Sequence, residues 1–177
     1  RSRNIDNILA ETDCLSKQGF KEIVLTGIHL GLYGYDFKTG QPSLLDVISK
    51  VSQVDGIERV RLSSIEPLEL TDDLLKGVSK IGAFCRHFHI PLQSGSNTIL
   101  KRMNRRYTTD DFQKRINHIR TIMPDVSITT DIIVGFPGES DSEFRKTERF
   151  ISKLKFSKLH VFPFSPKKGT LAAKLPN

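Results

Sequence analysis

Five short apolar runs recur along the chain at intervals of about 30 to 40 residues: Ile23-Val24-Leu25, Val60-Arg61-Leu62, Phe88 to Leu92, Val126 to Phe136 and Leu159 to Phe164. Most lack strict polar alternation, so they read as strands apolar on both faces, which suits a parallel sheet covered by helices. The segments between them have helical spacing. Ile5, Ile8, Leu9, Thr12 and Leu15 share a face before Gly19, and Leu44, Leu45, Val47, Ile48 and Val51 repeat the pattern. Thr71 and Thr108 stand where side chains cap helices, Pro124 stops the second of these, and Ser140 with Glu143 has capping-box spacing at the start of a helix reaching about Phe156. The order is a helix, then five strands alternating with four helices, then a polar tail. A chain of βα units that opens on a helix is expected to be a partial (β/α)6 barrel lacking its first strand, with five parallel strands and helices outside; a closed eight-stranded barrel needs about 250 residues. The open edge invites self-association. The turn-rich stretch Gly31 to Ser43 is the one linker-like segment.

With 177 residues, 37% of them apolar and 27% charged, a single domain with one core is expected. No stretch has the length and apolarity of a membrane span, and Arg1-Ser2-Arg3-Asn4 leads into no apolar signal core. Cys14 and Cys85 are too few for a disulfide framework or a zinc knuckle, which fits a reducing cytoplasm. The net charge of +7 is unevenly placed. Residues 1–84 carry 10 basic against 12 acidic side chains and residues 85–177 carry 17 against 8, so the halves stand at −2 and +9. The densest basic cluster, Lys101, Arg102, Arg105 and Arg106, is either an RNA-facing surface or a solvated helix face.

In parallel α/β architectures, ligands meet the carboxyl ends of the strands. Those ends are polar and glycine-bearing here: Thr26-Gly27-Ile28-His29-Leu30-Gly31, Ser63-Ser64-Ile65-Glu66-Pro67, Gln93-Ser94-Gly95-Ser96, Gly135-Phe136-Pro137-Gly138-Glu139 and Phe164-Ser165-Pro166. Turn chemistry accounts for any one of them; five at corresponding positions favour a shared ligand site.

The runs Glu22 to Ile28, His89-Ile90-Pro91-Leu92-Gln93-Ser94-Gly95-Ser96, Lys101-Arg102-Met103-Asn104-Arg105-Arg106-Tyr107 and Thr129-Thr130-Asp131 through Gly138-Glu139 resemble radical S-adenosylmethionine (SAM) methylthiotransferases over nearly the whole chain. His160-Val161-Phe162-Pro163-Phe164-Ser165-Pro166, followed by Lys168-Gly169-Thr170, looks most like the branch acting on N6-threonylcarbamoyladenosine next to the anticodon of tRNA; isopentenyladenosine and ribosomal-protein relatives share the barrel motifs. The resemblance implies a cytoplasmic enzyme in which a [4Fe-4S] cluster cleaves SAM reductively, the resulting radical activates C2 of the adenosine for sulfur insertion, and a second SAM methylates the sulfur. It implies SAM contacts at Thr26 and Gly27 (methionyl amine), Gln93 and Ser94 (ribose or carboxylate), Arg106 (carboxylate), and Val134 and Gly135 (adenine). It also implies contact of Lys101, Arg102 and Arg105 with the tRNA anticodon stem-loop, and an electron donor and a sulfur source as partners. No residue is assigned a catalytic role or a resident metal.

The three cluster cysteines of that family, spaced C-x3-C-x2-C, belong just before a segment like Arg1-Ser2-Arg3, and neither Cys14 nor Cys85 replaces them. By this reading, residues 1–177 are a radical SAM core, strands two to six of the barrel, without its cluster loop, its N-terminal flavodoxin-like domain and its C-terminal RNA-binding domain. Alone it is expected to bind no cluster and to be inactive. Two readings of other classes stand beside it. His87, His89, Asp131 and His160 suggest a metal-dependent barrel hydrolase, although His87 and His89 precede the strand end at Gln93. The basic half suggests an RNA-binding module without catalysis.

Overall fold

The computed structural model describes residues 1–37 and 42–175, so residues 38–41 of the turn-rich stretch lie outside the described residues. The chain clusters into two compact units, Arg1–His89 with Ile119–Val126, and Ile90–His118 with Ser127–Asn177.

In the first unit, α1 (Ile5–Lys17) starts at Asn4, whose side chain accepts the Asp6 amide at 2.7 Å, and the chain turns at Gly19 with φ 93°. Strand β1 (Glu22–Leu25) pairs in parallel with β2 (Arg59–Leu62), Ile23 opposite Val60 and Leu25 opposite Leu62. Between them α2 (Leu44–Val51) opens on a full capping box: Ser43 accepts the Asp46 amide, and Asp46 accepts that of Ser43. Helix α3 (Asp72–Val78) is capped by Thr71, as its sequence predicts. Val47, Ile48, Val51, Val60, Leu62 and Leu75 are buried at 2% exposure or less, so the anticipated apolar faces of α2 and α3 enter this unit's core, whereas on α1 Ile5, Ile8, Leu9 and Leu15 stay half-buried and of that face only Thr12 is buried. Strand β3 (His87–His89) continues the parallel arrangement through bridges Val60–Phe84 and Ser64–His89. It is shorter than the run Phe88 to Leu92 suggests, because Pro91 has no N–H to give a ladder. β1 has a strand partner on one side only among the described residues, and Val24 is 48% exposed.

The second unit is built on β4 (Ser127–Val134) and β5 (Lys158–Pro163), paired in parallel with Thr130 opposite Leu159 and Val134 opposite Pro163. A six-residue helix that periodicity did not signal, α4 (Asn97–Arg102), begins at Ser96, whose hydroxyl accepts the Ile99 amide. Helix α5 (Thr109–Ile122) opens on a reciprocal Thr108–Asp111 cap and ends before Pro124. Helix α6 (Asp141–Leu154) has only half of its anticipated capping box. Ser140 accepts the Glu143 amide at 3.4 Å, but the bonds formed by the Glu143 carboxylate are with Lys146 and Ser96. Lys155, at φ 48°, ends α6 just short of Phe156. Tyr107 meets Phe112 in a tilted ring contact at 5.9 Å, and Phe112 meets Phe156 edge-on at 6.2 Å.

Candidate functional site

In the first unit the segment after β1 lines a cleft of about 800 Å3 that includes Thr26, Gly27, Ile28, Arg1 and Arg3. Thr26 and Gly27 are exposed, and Ile28 is 96% exposed. What holds this loop is Glu69, from the 3-10 turn Pro67–Glu69 after β2. Its carboxylate lies 2.8 Å from His29 Nδ1 and accepts the Gly31 amide at 3.0 Å. A β-carbon on Gly31 would run into the Glu69 side chain, so glycine is required by close approach. The N-terminal stretch is strapped to the same loop: Tyr33 donates its hydroxyl to the Arg3 carbonyl at 2.6 Å, and the Gly34 amide donates to Ser2 Oγ at 2.9 Å.

At the amino ends of β1 and β2, away from this loop, Glu22 accepts from Arg61 Nε at 2.7 Å and Arg59 Nε at 2.8 Å. These hydrogen bonds, Arg61's first, hold the Glu22 carboxyl below the usual carboxylate range. Burial lowers the pKa of His87, with Arg61 and His89 adding to it, and burial raises that of the Cys85 thiol.

In the second unit, the predicted residues Gln93 and Ser94 follow buried Leu92. Gln93 is left-handed at φ 70°, and two backbone bonds fix it there: its amide donates to the Asp131 carbonyl at 2.8 Å and its carbonyl accepts the Ile133 amide at 2.9 Å. A non-glycine residue in this conformation is strained, and such strain persists where the surroundings over-determine it. Ser94 is fully buried. Its hydroxyl lies 3.2 Å from Thr147 Oγ1 and accepts the Ser96 amide, so Ser94 builds the turn from inside and has no exposed surface of its own.

Val134 ends β4 and Gly135 follows it. Gly135 has φ 71°, its amide donates to Glu139 Oε2 at 2.5 Å, and a β-carbon there would meet nothing within 4 Å. Glu139 Oε1 is buried with no hydrogen-bond partner among the described residues. Of the basic cluster, Arg102 is committed to this loop: Nη1 donates to the Pro137 carbonyl at 2.9 Å, and the guanidinium lies where a β-carbon on Gly138 (φ 83°) would go. Lys101 and Arg106 are exposed and Arg105 is half-buried. His160 Nδ1 lies 3.2 Å from Asp131, a pair internal to this unit, whereas His87 and His89 belong to the first.

Glu69, Thr147 and Glu139 were not anticipated. Glu69 and Thr147 act on residues 38 and 52 positions away, and nothing local marks them. Glu139, four residues from Gly135, stood within a quoted motif without a role.

The profile of the Radical SAM superfamily matches residues 1–151. Threonylcarbamoyladenosine tRNA methylthiotransferase MtaB of Bacillus subtilis (strain 168) is 44% identical over 176 residues, 99% of this chain and 39% of that protein. MtaB of Thermotoga maritima is 45% identical over 99% of this chain and 40% of its own length. The tRNA-2-methylthio-N(6)-dimethylallyladenosine synthase of Acetivibrio thermocellus is 42% identical over 99% of this chain and 36% of its own. The chain thus spans about two fifths of the length of these relatives. Among solved structures, coproporphyrinogen III oxidase (HemN) from Escherichia coli, a radical SAM enzyme, superposes with a TM-score of 0.66 at 18% identity, covering 96% of this chain and 39% of that one. The radical SAM methyltransferase TsrM from Kitasatospora setae, with cobalamin and a [4Fe-4S] cluster bound, superposes with a TM-score of 0.70 at 18% identity, covering 91% and 31%. At these identities the likeness establishes the fold, an α/β arrangement of parallel strands.

Proposed function

The chain belongs to the Radical SAM superfamily, and from that premise we propose that residues 1–177 are the SAM-binding core of a tRNA methylthiotransferase acting at C2 of N6-threonylcarbamoyladenosine beside the anticodon. The observation that carries this reading is similarity of 44 to 45% across 99% of the chain to two threonylcarbamoyladenosine tRNA methylthiotransferases.

The residues at the strand ends suit SAM. The open backbone of Thr26 and Gly27 leaves room for the methionyl amine. Gln93, held in its strained conformation, carries a side-chain amide for ribose or carboxylate, and Arg106 carries an exposed guanidinium for the carboxylate. Gly135 permits close approach of the adenine, and the unsatisfied Glu139 oxygen has an acceptor to spare for a ligand N–H. When bound, SAM supplies a methyl group and an adenosyl group for chemistry at the adenosine. A [4Fe-4S] cluster does not fit the residues of this chain. It needs three thiolates, whereas the sequence has two cysteines, one exposed on α1 and the other half-buried beside β2. No reaction step is therefore assigned to this chain's cysteines. Lys101 and Arg105 are the exposed and half-buried cations offered to the tRNA anticodon stem-loop. No described helix is long and apolar enough to cross a membrane. The unpaired edge of β1 supports pairing with a further strand there.

The test is complementation. The full-length gene that contains the coding sequence of these residues is expressed in a bacterium lacking its threonylcarbamoyladenosine methylthiotransferase, and tRNA nucleosides are resolved by mass spectrometry. Appearance of the 2-methylthio derivative of N6-threonylcarbamoyladenosine supports the reading. The isopentenyladenosine product instead would move the protein to the other tRNA branch, and neither product would refute both.

A further inference from the structure

A second cleft, of about 410 Å3, lies in the second unit beside the start of α4 and the outer face of α6. Lys146, Arg149 and Lys153 line one side, and Ser96, Asn97 and Thr98 line the other. The three cations stand at i, i+3 and i+7, hence on one helical face, and all are exposed. Their surroundings neutralise them poorly. Lys146 shares Glu143, at 2.7 Å, and that carboxylate also takes the Ser96 hydroxyl. Lys153 donates to the neutral amide oxygen of Gln113 at 3.3 Å, and Arg149 Nε donates to the Arg145 carbonyl at 3.2 Å. Neither Arg149 nor Lys153 has an acidic partner among the described residues.

The helix bears this arrangement at a cost, because Arg145, Arg149 and Lys153 follow one another at i, i+4, where like charges destabilise by about 0.2–0.5 kcal/mol per pair. A solvated face chosen for helix stability would alternate signs. On the opposite wall the Ser96 and Thr98 hydroxyls bond to Glu143, and the Asn97 side-chain oxygen is taken by the Thr109 amide at 2.8 Å, which leaves the Asn97 NH2 group as the donor that wall offers. Donors and cations meet in one concavity, which is the chemistry of an anion site. Lys101, four residues beyond Asn97 on α4, is exposed as well.

We infer that this cleft binds backbone phosphates of RNA, with Lys146, Arg149 and Lys153 as the contacts. This rests on the tRNA reading above and adds to it a binding surface on the outer helix α6. Phosphate contacts release counterions, so their number appears in the salt dependence of binding.

The experiment titrates a fluorescent anticodon stem-loop RNA with the 177-residue chain at salt concentrations from about 50 to 200 mM. The parent is compared with the triple variant Lys146→Ala, Arg149→Ala, Lys153→Ala, and with a second variant, Lys146→Arg and Lys153→Arg, that keeps the charges. The triple variant is expected to bind about tenfold more weakly at the lower salt, with a log–log slope shallower by about 2 to 3. The charge-keeping variant should retain the parental slope. Urea midpoints of all three proteins separate a contact effect from misfolding. If the parent binds RNA and the triple variant binds with the same affinity and slope, the cleft is not an RNA contact while the tRNA reading stands. If the parent itself fails to bind at the lowest salt, the cleft assignment falls, while the tRNA reading is decided by the modified nucleosides of the complementation test. If polyglutamate binding is lost in the triple variant while RNA binding persists, the cleft is a protein-docking surface and the inference is overturned.

Discussion

Gly95 donates its amide to the hydroxyl of Thr147 at 3.0 Å, and a β-carbon on Gly95 would stand 2.7 Å from Thr147 Cα. The turn Gln93-Ser94-Gly95-Ser96 is therefore seated directly on the backbone of α6, with one buried hydroxyl answering both the Gly95 amide and Ser94 Oγ.

Gly95→Ala is expected to destabilise the chain by about 1–3 kcal/mol through overpacking. Thr147→Val is expected to cost about 1–3 kcal/mol by leaving the Gly95 amide unsatisfied. Because the two share one contact, their effects should not add. Urea denaturation of the singles and the double measures this; a parental midpoint for Gly95→Ala would mean that α6 yields without strain.

Gln93 presents the opposite case, a side chain where glycine would be more comfortable. A left-handed conformation costs a non-glycine residue about 1–2 kcal/mol. Gln93→Gly should then hold or raise stability, whereas Gln93→Val should lower it by about that amount. If the side chain holds SAM, Gln93→Gly should also weaken SAM retention in equilibrium dialysis. Undiminished SAM binding would remove Gln93 from the site.

Glu22 links stability to pH. Its carboxyl is held below its ordinary value by Arg61 and Arg59. The ionised form is thus favoured by folding, and its contribution is present above the unfolded value of about 4.3 and lost as pH falls through the lower folded value. Glu22→Gln is expected to cost about 1 kcal/mol at neutral pH, the scale of partly exposed ion pairs. The difference between the two proteins should close in acid below pH about 4, and a gap persisting there would assign the cost to packing.

Lys101 and Arg102 are neighbours with different duties. Lys101→Ala should leave stability within about 0.5 kcal/mol and reduce the RNA salt slope by about 1. Arg102→Ala removes the bond to the Pro137 carbonyl and should cost about 1–2 kcal/mol. Equal urea midpoints for the two variants would show that the Arg102 contact contributes nothing to folding.

Anaerobic reconstitution of this chain with iron and sulfide is expected to give no stoichiometric [4Fe-4S] centre. Cys14 is exposed, and burial pushes the Cys85 thiol up, away from the thiolate a cluster binds. Iron and sulfide near four each per chain, with a SAM-responsive electron paramagnetic resonance signal, would overturn this.

The parallel strands, their order and the caps at Thr71 and Thr108 were present in the sequence because they depend on neighbours a few residues away: periodicity selects the buried face, and a hydroxyl reaches only the nearest free amides. The glycine-bearing strand ends were legible for the same reason. Glu69 under Gly31, Thr147 under Gly95 and Arg102 over Gly138 were not, since each pairing joins positions 36 to 52 residues apart and exists only once the strands are side by side. The half-formed cap at Ser140 has the same origin: Glu143 had a local amide within reach, and the fold brought the Ser96 hydroxyl to its carboxylate instead. Sequence determined which elements form and where ligand-bearing turns fall; tertiary structure decided which charges are spent inside the fold and which, as at Lys146, Arg149 and Lys153, are left facing outward.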